Sequence, residues 1–189
     1  MNSQSWAATL VVVLIAFGGG FIAGRQGPSP ADARAARPAV SAACHFSPKG
    51  GCTDALVAEI EHARQVVELQ GYSFTSRPIG SALVAAHRRG VRVTVLLDAV
   101  ATGEHRGEAD YVVRNGVPVF LDSRHALAHN KVLLVDGRTT VTGSFNFTRA
   151  AEEDNAENIL ILHDQPGVQD AYEENFRTHL AHAQKYSGR

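Results

Sequence analysis

The chain is short of the features that usually announce a function. Among 189 residues it has two cysteines, one methionine and one tryptophan. The two cysteines allow one disulfide at most. A zinc site built on Cys44, His45 and Cys52 lacks a fourth ligand at useful spacing. The formal net charge is only −1 with histidines neutral. A basic footprint for nucleic acid is therefore missing, and any phosphate-binding charge must be local. No internal repeat is visible. No cluster of carboxylates suggests a bound divalent metal, so metal-free chemistry without a cofactor is expected.

What the chain does have is an ordinary globular balance, 44% hydrophobic and 20% charged. Its length fits one catalytic domain plus an extension. Residues 1–24 carry no charged side chain, and Trp6 to Ala23 is almost wholly apolar. That run barely reaches the length of a bilayer span and reads as a secretory signal or an uncleaved membrane anchor. The missing positive n-region and the lack of a nearby cleavage site favour the anchor. Arg25, Arg34 and Arg37 would hold the following segment in the cytoplasm under the positive-inside rule. The cysteine pair argues instead for export, to a periplasmic or extracellular location, with a Cys44–Cys52 disulfide set against two free thiols. Residues 25–43, rich in Ala, Pro and Arg, read as a tether. The folded domain is expected over residues 44–189.

Within it, strands and helices alternate. Thr53 is placed as the cap of a helix to about Arg64. Val66 to Phe74 reads as a strand, and a helix opened by Arg77-Pro78 ends at Gly90. Val91 to Leu97 is β-branched and ends at Asp98. Ala99 to Gly107 reads as a polar loop, and Glu108 to Asn115 as a short helix. Val117 to Leu121 is a strand that Pro118 puts near a sheet edge. Lys131 to Val135 and Thr140 to Thr142 flank Asp136-Gly137, a hairpin signal. Asn158 to Leu162 is the last strand, before a helix from Val168 to about Ala183. The expected class is α/β, a mixed sheet flanked by helices in a single domain.

The chemistry concentrates in His129-Asn130-Lys131, Asp136 and Gly143-Ser144-Phe145-Asn146. The pattern H-x-K-x4-D-x6-G-S-x-N arises by chance about once in 10^7 windows or fewer at average residue usage, so it is not an accident of this chain. His129 and Lys131 are two apart on a strand and project on one side. The strand is otherwise apolar on both faces, so a polar pair at its start suggests a site rather than a solvated edge. The returning strand would bring Ser144 and Asn146 beside them, with Gly143 letting the backbone approach a ligand. Such a set suits a phosphoryl group. Lys131 neutralises its oxygens, Ser144 and Asn146 donate hydrogen bonds, and a neutral His129 attacks phosphorus.

The pattern resembles the HKD motif of the phospholipase D superfamily. Gly71-Tyr72-Ser73-Phe74-Thr75, His87-Arg88-Arg89-Gly90-Val91, Gly143 to Thr148 and Glu157-Asn158 resemble its small bacterial endonuclease branch. The likeness spans about Phe46 to Leu180. It implies a phospholipase D/nuclease-like fold and a homodimer whose two single motifs share one active site. It further implies that His129 of one chain attacks phosphorus and that His129 of the other protonates the leaving oxygen. Lys131, Ser144 and Asn146 would hold the phosphate, and Glu157 would accept a hydrogen bond from the histidine ring. Asp136 completes the motif and, at the hairpin turn, reads as structural.

Blander readings stand beside these. Ser144 and Asn146 can satisfy their own turn. The run Glu152, Glu153, Asp154 reads as a solvated loop. His87, Arg88, Arg89 and Arg92 form a basic patch that suits either a nucleic-acid backbone or a solvated helix end. Asp98, at a strand end, reads either as a border of the site or as a bland strand terminus, and nothing requires His125 or His163 to be near it. The substrate expected is nucleic acid, with a phosphatidylcholine-type phospholipid hydrolysed to phosphatidic acid as the alternative. The folded part shows no aromatic-rich loop suited to lipid insertion.

Overall fold

In the computed structural model, residues 41–188 are described, so the apolar run and most of the tether lie outside the described residues. Eight strands form one sheet in the order β1-β7-β6-β5-β2-β3-β4-β8. The strands are β1 (Ser41–Phe46), β2 (Val66–Gly71), β3 (Arg92–Asp98), β4 (Val119–Asp122), β5 (Lys131–Val135), β6 (Thr139–Gly143), β7 (Asn158–His163) and β8 (Gln184–Tyr186). Parallel pairing is confined to β2, β3 and β4, and the remaining neighbours are antiparallel. The sheet is therefore mixed, as the alternation followed by a hairpin requires.

Each helix buries the stripe its sequence supplies. On α1 (Cys52–His62), Leu56 and Ile60 are buried. On α2 (Arg77–Arg88), Ile79, Leu83 and Ala86 are buried, and Pro78 sits in the first turn, where a missing N–H costs nothing. The short helices α3 (Ala99–Glu104), α4 (Gly107–Arg114) and α5 (Arg149–Glu153) follow β3, α3 and β6. The main core joins α1, α2 and α4 to one sheet face through Leu69, Val95 and Leu133. On the other face α6 (Pro166–Leu180) inserts Phe176 against Leu96, Val132 and Leu134. Alternate residues of β5 thus feed opposite cores, and every residue of that strand is buried.

Several expectations are corrected. The segment after Asp98 is not a loop. The Asp98 Oδ1 accepts the N–H of Ala101 at 2.8 Å and starts α3. Thr53 lies inside α1. Its N–H and that of Gly51 donate to the Glu152 carboxylate at 2.7 and 3.0 Å, so the acidic run supplies a remote cap. β4 does lie near the sheet edge as expected, with the short β8 alone outside it. The first strand begins at Ser41, inside the expected tether. Cys44 and Cys52 are free thiols, not a disulfide. Cys44 sits exposed on β1, whereas Cys52 is fully buried in the core at the start of α1. Burial, helped by the Glu152 charge, pushes the Cys52 thiol up to about 11.

The β5–β6 turn explains the aspartate of the motif. Asp136 and Gly137 take φ of 53° and 66°, the left-handed pair at the centre of the turn that the Arg138 N–H closes on the Val135 carbonyl at 3.0 Å. The Asp136 carboxylate accepts the backbone N–H groups of Arg64, Gln65 and Val66 at 2.7, 2.8 and 2.9 Å. It thereby ties the hairpin to the start of β2. Burial opposes its ionisation, but the three donors outweigh that and lower its pKa. It lies five positions along the chain from Lys131, roughly 17 Å when extended, so it cannot touch a ligand held there.

Candidate active site

Four neighbouring strands end at one place. Gly71 at the end of β2 pairs with Lys131 at the start of β5, and Gly143 at the end of β6 pairs with Ile159 near the start of β7. Antiparallel order thus sets the segments 71–72, 129–131, 143–146 and 157–158 side by side along one end of the sheet.

Lys131 is the buried member, 8% exposed. Its ammonium donates to the backbone carbonyl of His129 at 2.8 Å and lies 5.3 Å from the centroid of the Tyr72 ring. It forms no ion pair among the described residues. Burial pushes its pKa below the lysine range, and the Glu157 charge partly restores it. A buried cation neutralised by no contacting carboxylate is a standing attraction for an anion. His129 sits exposed beside it, with its ring tilted by 58° against Tyr72 at a centroid separation of 4.7 Å. Tyr72 therefore links the two motif side chains. Sequence reasoning gave it no role, although the aromatic directly after a strand-ending glycine was the available signal.

The Gly143–Asn146 segment is held by pegs and by a local network. Phe145 and Phe147 are buried in the core, and Asn146 between them keeps its Oδ1 buried without a hydrogen-bond partner. Ser144 is exposed. Its N–H and its Oγ both donate to Asn158 Oδ1 at 3.1 Å, and its Oγ accepts the Asn158 N–H at 3.1 Å. Ser144 is thus locally satisfied and must exchange a bond to meet a ligand. A Cβ on Gly143 would lie 2.1 Å from the Asn158 carbonyl oxygen. The glycine is therefore dictated by the close approach of β7 rather than by a ligand.

Glu157 does not contact the His129 ring in this chain. Its carboxylate accepts from Asn155 at 3.4 Å, while its backbone N–H and C=O bond Ser47. Its influence on the site runs through Lys131. Asp98, which the sequence left at the border, has a definite place. It is 1% exposed, and its Oδ2 accepts the N–H of Ala128 at 2.9 Å, fixing the loop one residue before His129. The basic patch is elsewhere. Arg92 starts β3, so the patch lies at the opposite end of the sheet, where Arg88 and Arg89 bond Asn115 and the end of α1.

The end of the sheet thus offers an exposed imidazole, a buried ammonium, a hydroxyl and a carboxamide, an arrangement suited to a tetrahedral anion. Known proteins carry the same frame. A family described as "Cardiolipin synthase, PLD-like domain" matches residues 56–180. A phospholipase D of Rickettsia conorii is 38% identical over 120 residues, covering 64% of this chain and 60% of its own length. A mitochondrial cardiolipin hydrolase of Mus musculus is 34% identical over 102 residues, covering 54% of this chain and 46% of its own. The chain therefore spans about three fifths or less of these curated relatives. Among solved structures, the phospholipase D family member Nuc of Salmonella typhimurium superposes with a TM-score of 0.75 at 32% identity. That match covers 78% of this chain and 98% of Nuc. NucT of Helicobacter pylori shares the fold at a TM-score of 0.69 and 21% identity, over 78% of this chain and 99% of that one. With the family match over most of the folded part and His129, Lys131, Ser144 and Asn146 gathered at one sheet end, the chain belongs to the phospholipase D superfamily.

Proposed function

We propose that the protein is a metal-independent phosphodiesterase that cleaves nucleic acid through a phosphohistidine, as a homodimer with one shared site. The observation that carries this reading is the buried Lys131 ammonium, without a carboxylate in contact, beside an exposed His129. A ring nitrogen of His129 attacks phosphorus, and a P–N bond forms as the P–O bond to the leaving group breaks. His129 of the partner subunit gives its proton to the leaving oxygen. It then takes a proton from water, whose oxygen attacks phosphorus and breaks the P–N bond. Lys131, Asn146 and Ser144 hold the non-bridging oxygens, Ser144 after releasing Asn158. The Glu157 charge favours the ammonium form of Lys131 against the cost of its burial.

The exposed apolar residues support a second chain at this end. Phe46 (64%), Val100 (61%) and Leu127 (57%) are the large exposed apolar side chains among the described residues. Phe46 pairs with Asn158, Val100 lies two residues past the end of β3, and Leu127 lies two residues before His129. All three therefore crowd the end of the sheet where the motif lies, where a partner copy would cover them. The same residues favour a second reading, in which this end meets a lipid surface and the substrate is a phospholipid. The Rickettsia relative, a phospholipase D, and the mouse relative, a cardiolipin hydrolase, agree with it.

One assay separates the readings. The full-length chain is given plasmid DNA, single-stranded RNA and phosphatidylcholine vesicles in excess chelator. Cleavage of DNA or RNA that is lost in His129→Ala is expected. Lipid cleavage without nucleic-acid cleavage overturns the nuclease assignment, and loss of all activity in chelator with Tm unchanged overturns the metal-free reaction.

A further inference from the structure

A second polar cluster lies at the same end of the sheet, outside the motif. Asp122 ends β4, and its carboxylate is 1% exposed. Three imidazoles converge on one of its oxygens. Oδ2 lies 3.0 Å from His125 Nδ1, 2.7 Å from His179 Nδ1 and 3.2 Å from His182 Nε2. The rings stand 4.7 to 5.5 Å apart, centroid to centroid. The other carboxylate oxygen accepts the Arg124 N–H at 3.0 Å.

From these positions we infer that Asp122, His125, His179 and His182 form a structural site for a divalent transition metal, zinc by preference. Three imidazole nitrogens with one carboxylate oxygen make a closed four-ligand set of the kind zinc accepts. All four donor atoms lie within 4.8 Å of one another. Tetrahedral bonds of about 2.1 Å place ligand atoms roughly 3.4 Å apart, so only a small contraction is needed. Three ring nitrogens compete for one carboxylate oxygen. His182 Nε2 is buried and misaligned for a hydrogen bond despite its distance. A metal ion replaces that competition with four bonds.

The site would join three parts of the chain: the β4–β5 loop through His125, the last turn of α6 through His179, and the link to β8 through His182. The loop is the one that delivers His129. β4 and β5 are three strand spacings apart, roughly 14 Å, so the ion would brace the loop without touching phosphorus held by Lys131. The inference is therefore independent of the reaction proposed above, and activity in chelator is not its readout. The two pairs, Asp122-x-x-His125 and His179-x-x-His182, are also the signal a sequence search can use.

The test uses the full-length chain, stripped by chelator and dialysed, then titrated with zinc chloride against a chromophoric chelator. About one equivalent per chain is expected, with a rise of several degrees in Tm. Cobalt(II) in its place should give the intense visible bands of a tetrahedral site. His179→Ala/His182→Ala should abolish stoichiometric binding. His125→Ala, at a side chain 43% exposed and outside the core, should weaken it at least about tenfold. His129→Ala should bind as the parent does. Absence of stoichiometric binding by the parent chain overturns the site, as does an octahedral cobalt spectrum. Full binding in the double variant overturns it too.

Discussion

Asp98 Oδ2 accepts the backbone N–H of Ala128 at 2.9 Å, so the buried end of β3 holds the residue next to the nucleophile proposed here. The same carboxylate caps α3 through Ala101. One side chain therefore serves a helix start and an active-site loop. Asp98→Ala should cost about 2–4 kcal/mol, as a cap and a buried acceptor are lost together. Asn keeps one acceptor and should lie between. Urea unfolding gives the cost, and kinetics on the folded fraction should show a fall in kcat larger than any change in KM. An unaltered kcat would remove Asp98 from the positioning of His129.

Asp136 should behave as a stability residue. Its folded-state pKa is lowered, so its contribution is present above the unfolded value and is lost as pH falls through the folded one. Asp136→Asn should cost about 2 kcal/mol at neutral pH, because charged acceptors of backbone N–H groups become neutral. The gap between parent and variant should close in urea titrations run progressively below about pH 4. A gap independent of pH would contradict the assignment.

Lys131 and Glu157 set an alkaline limit. Burial lowers the lysine pKa and the Glu157 charge raises it. The alkaline limb of kcat/KM should therefore fall below the ordinary lysine value of 10.5. Glu157→Gln removes the charge that favours the ammonium and should move that limb lower still. A shift upward, or none, would detach Glu157 from Lys131 and return it to the ring-orienting role.

The thiols should differ in reactivity. Cys44 is exposed, and the Cys52 thiol is buried and raised to about 11. A disulfide-exchange reagent at neutral pH should titrate Cys44 at once and Cys52 only after unfolding. Two slow thiols, or none, would contradict the free arrangement.

The motif was legible because its parts are local. His129 and Lys131 share a strand face, and Asp136-Gly137 carries its own turn chemistry. The elements left unread lack a period. β1 (Ser-Ala-Ala-Cys-His-Phe) and β8 (Gln-Lys-Tyr) are edge strands with few β-branched residues, formed because a neighbour offers an open ladder. α3 forms because Asp98 caps it, not because of its own residues. Glu152 caps a helix 99 residues away in sequence, and the Asp122 cluster draws on three segments. The meeting of such distant segments leaves no trace in local spacing, even where, as in the Asp122 cluster, each segment carries its own donor pair. The reading of Gly143 shows the same limit from the other side: the glycine was noticed, but the backbone it admits belongs to β7.

The central claim is that His129 becomes covalently bonded to phosphorus. Rapid acid-free quenching of the full-length chain with an internally 32P-labelled oligonucleotide tests it directly. The account predicts labelled protein that is stable in base, labile in acid, absent in His129→Ala and unaffected by chelator. Turnover without any labelled protein, in a quench fast enough to precede hydrolysis, would contradict it.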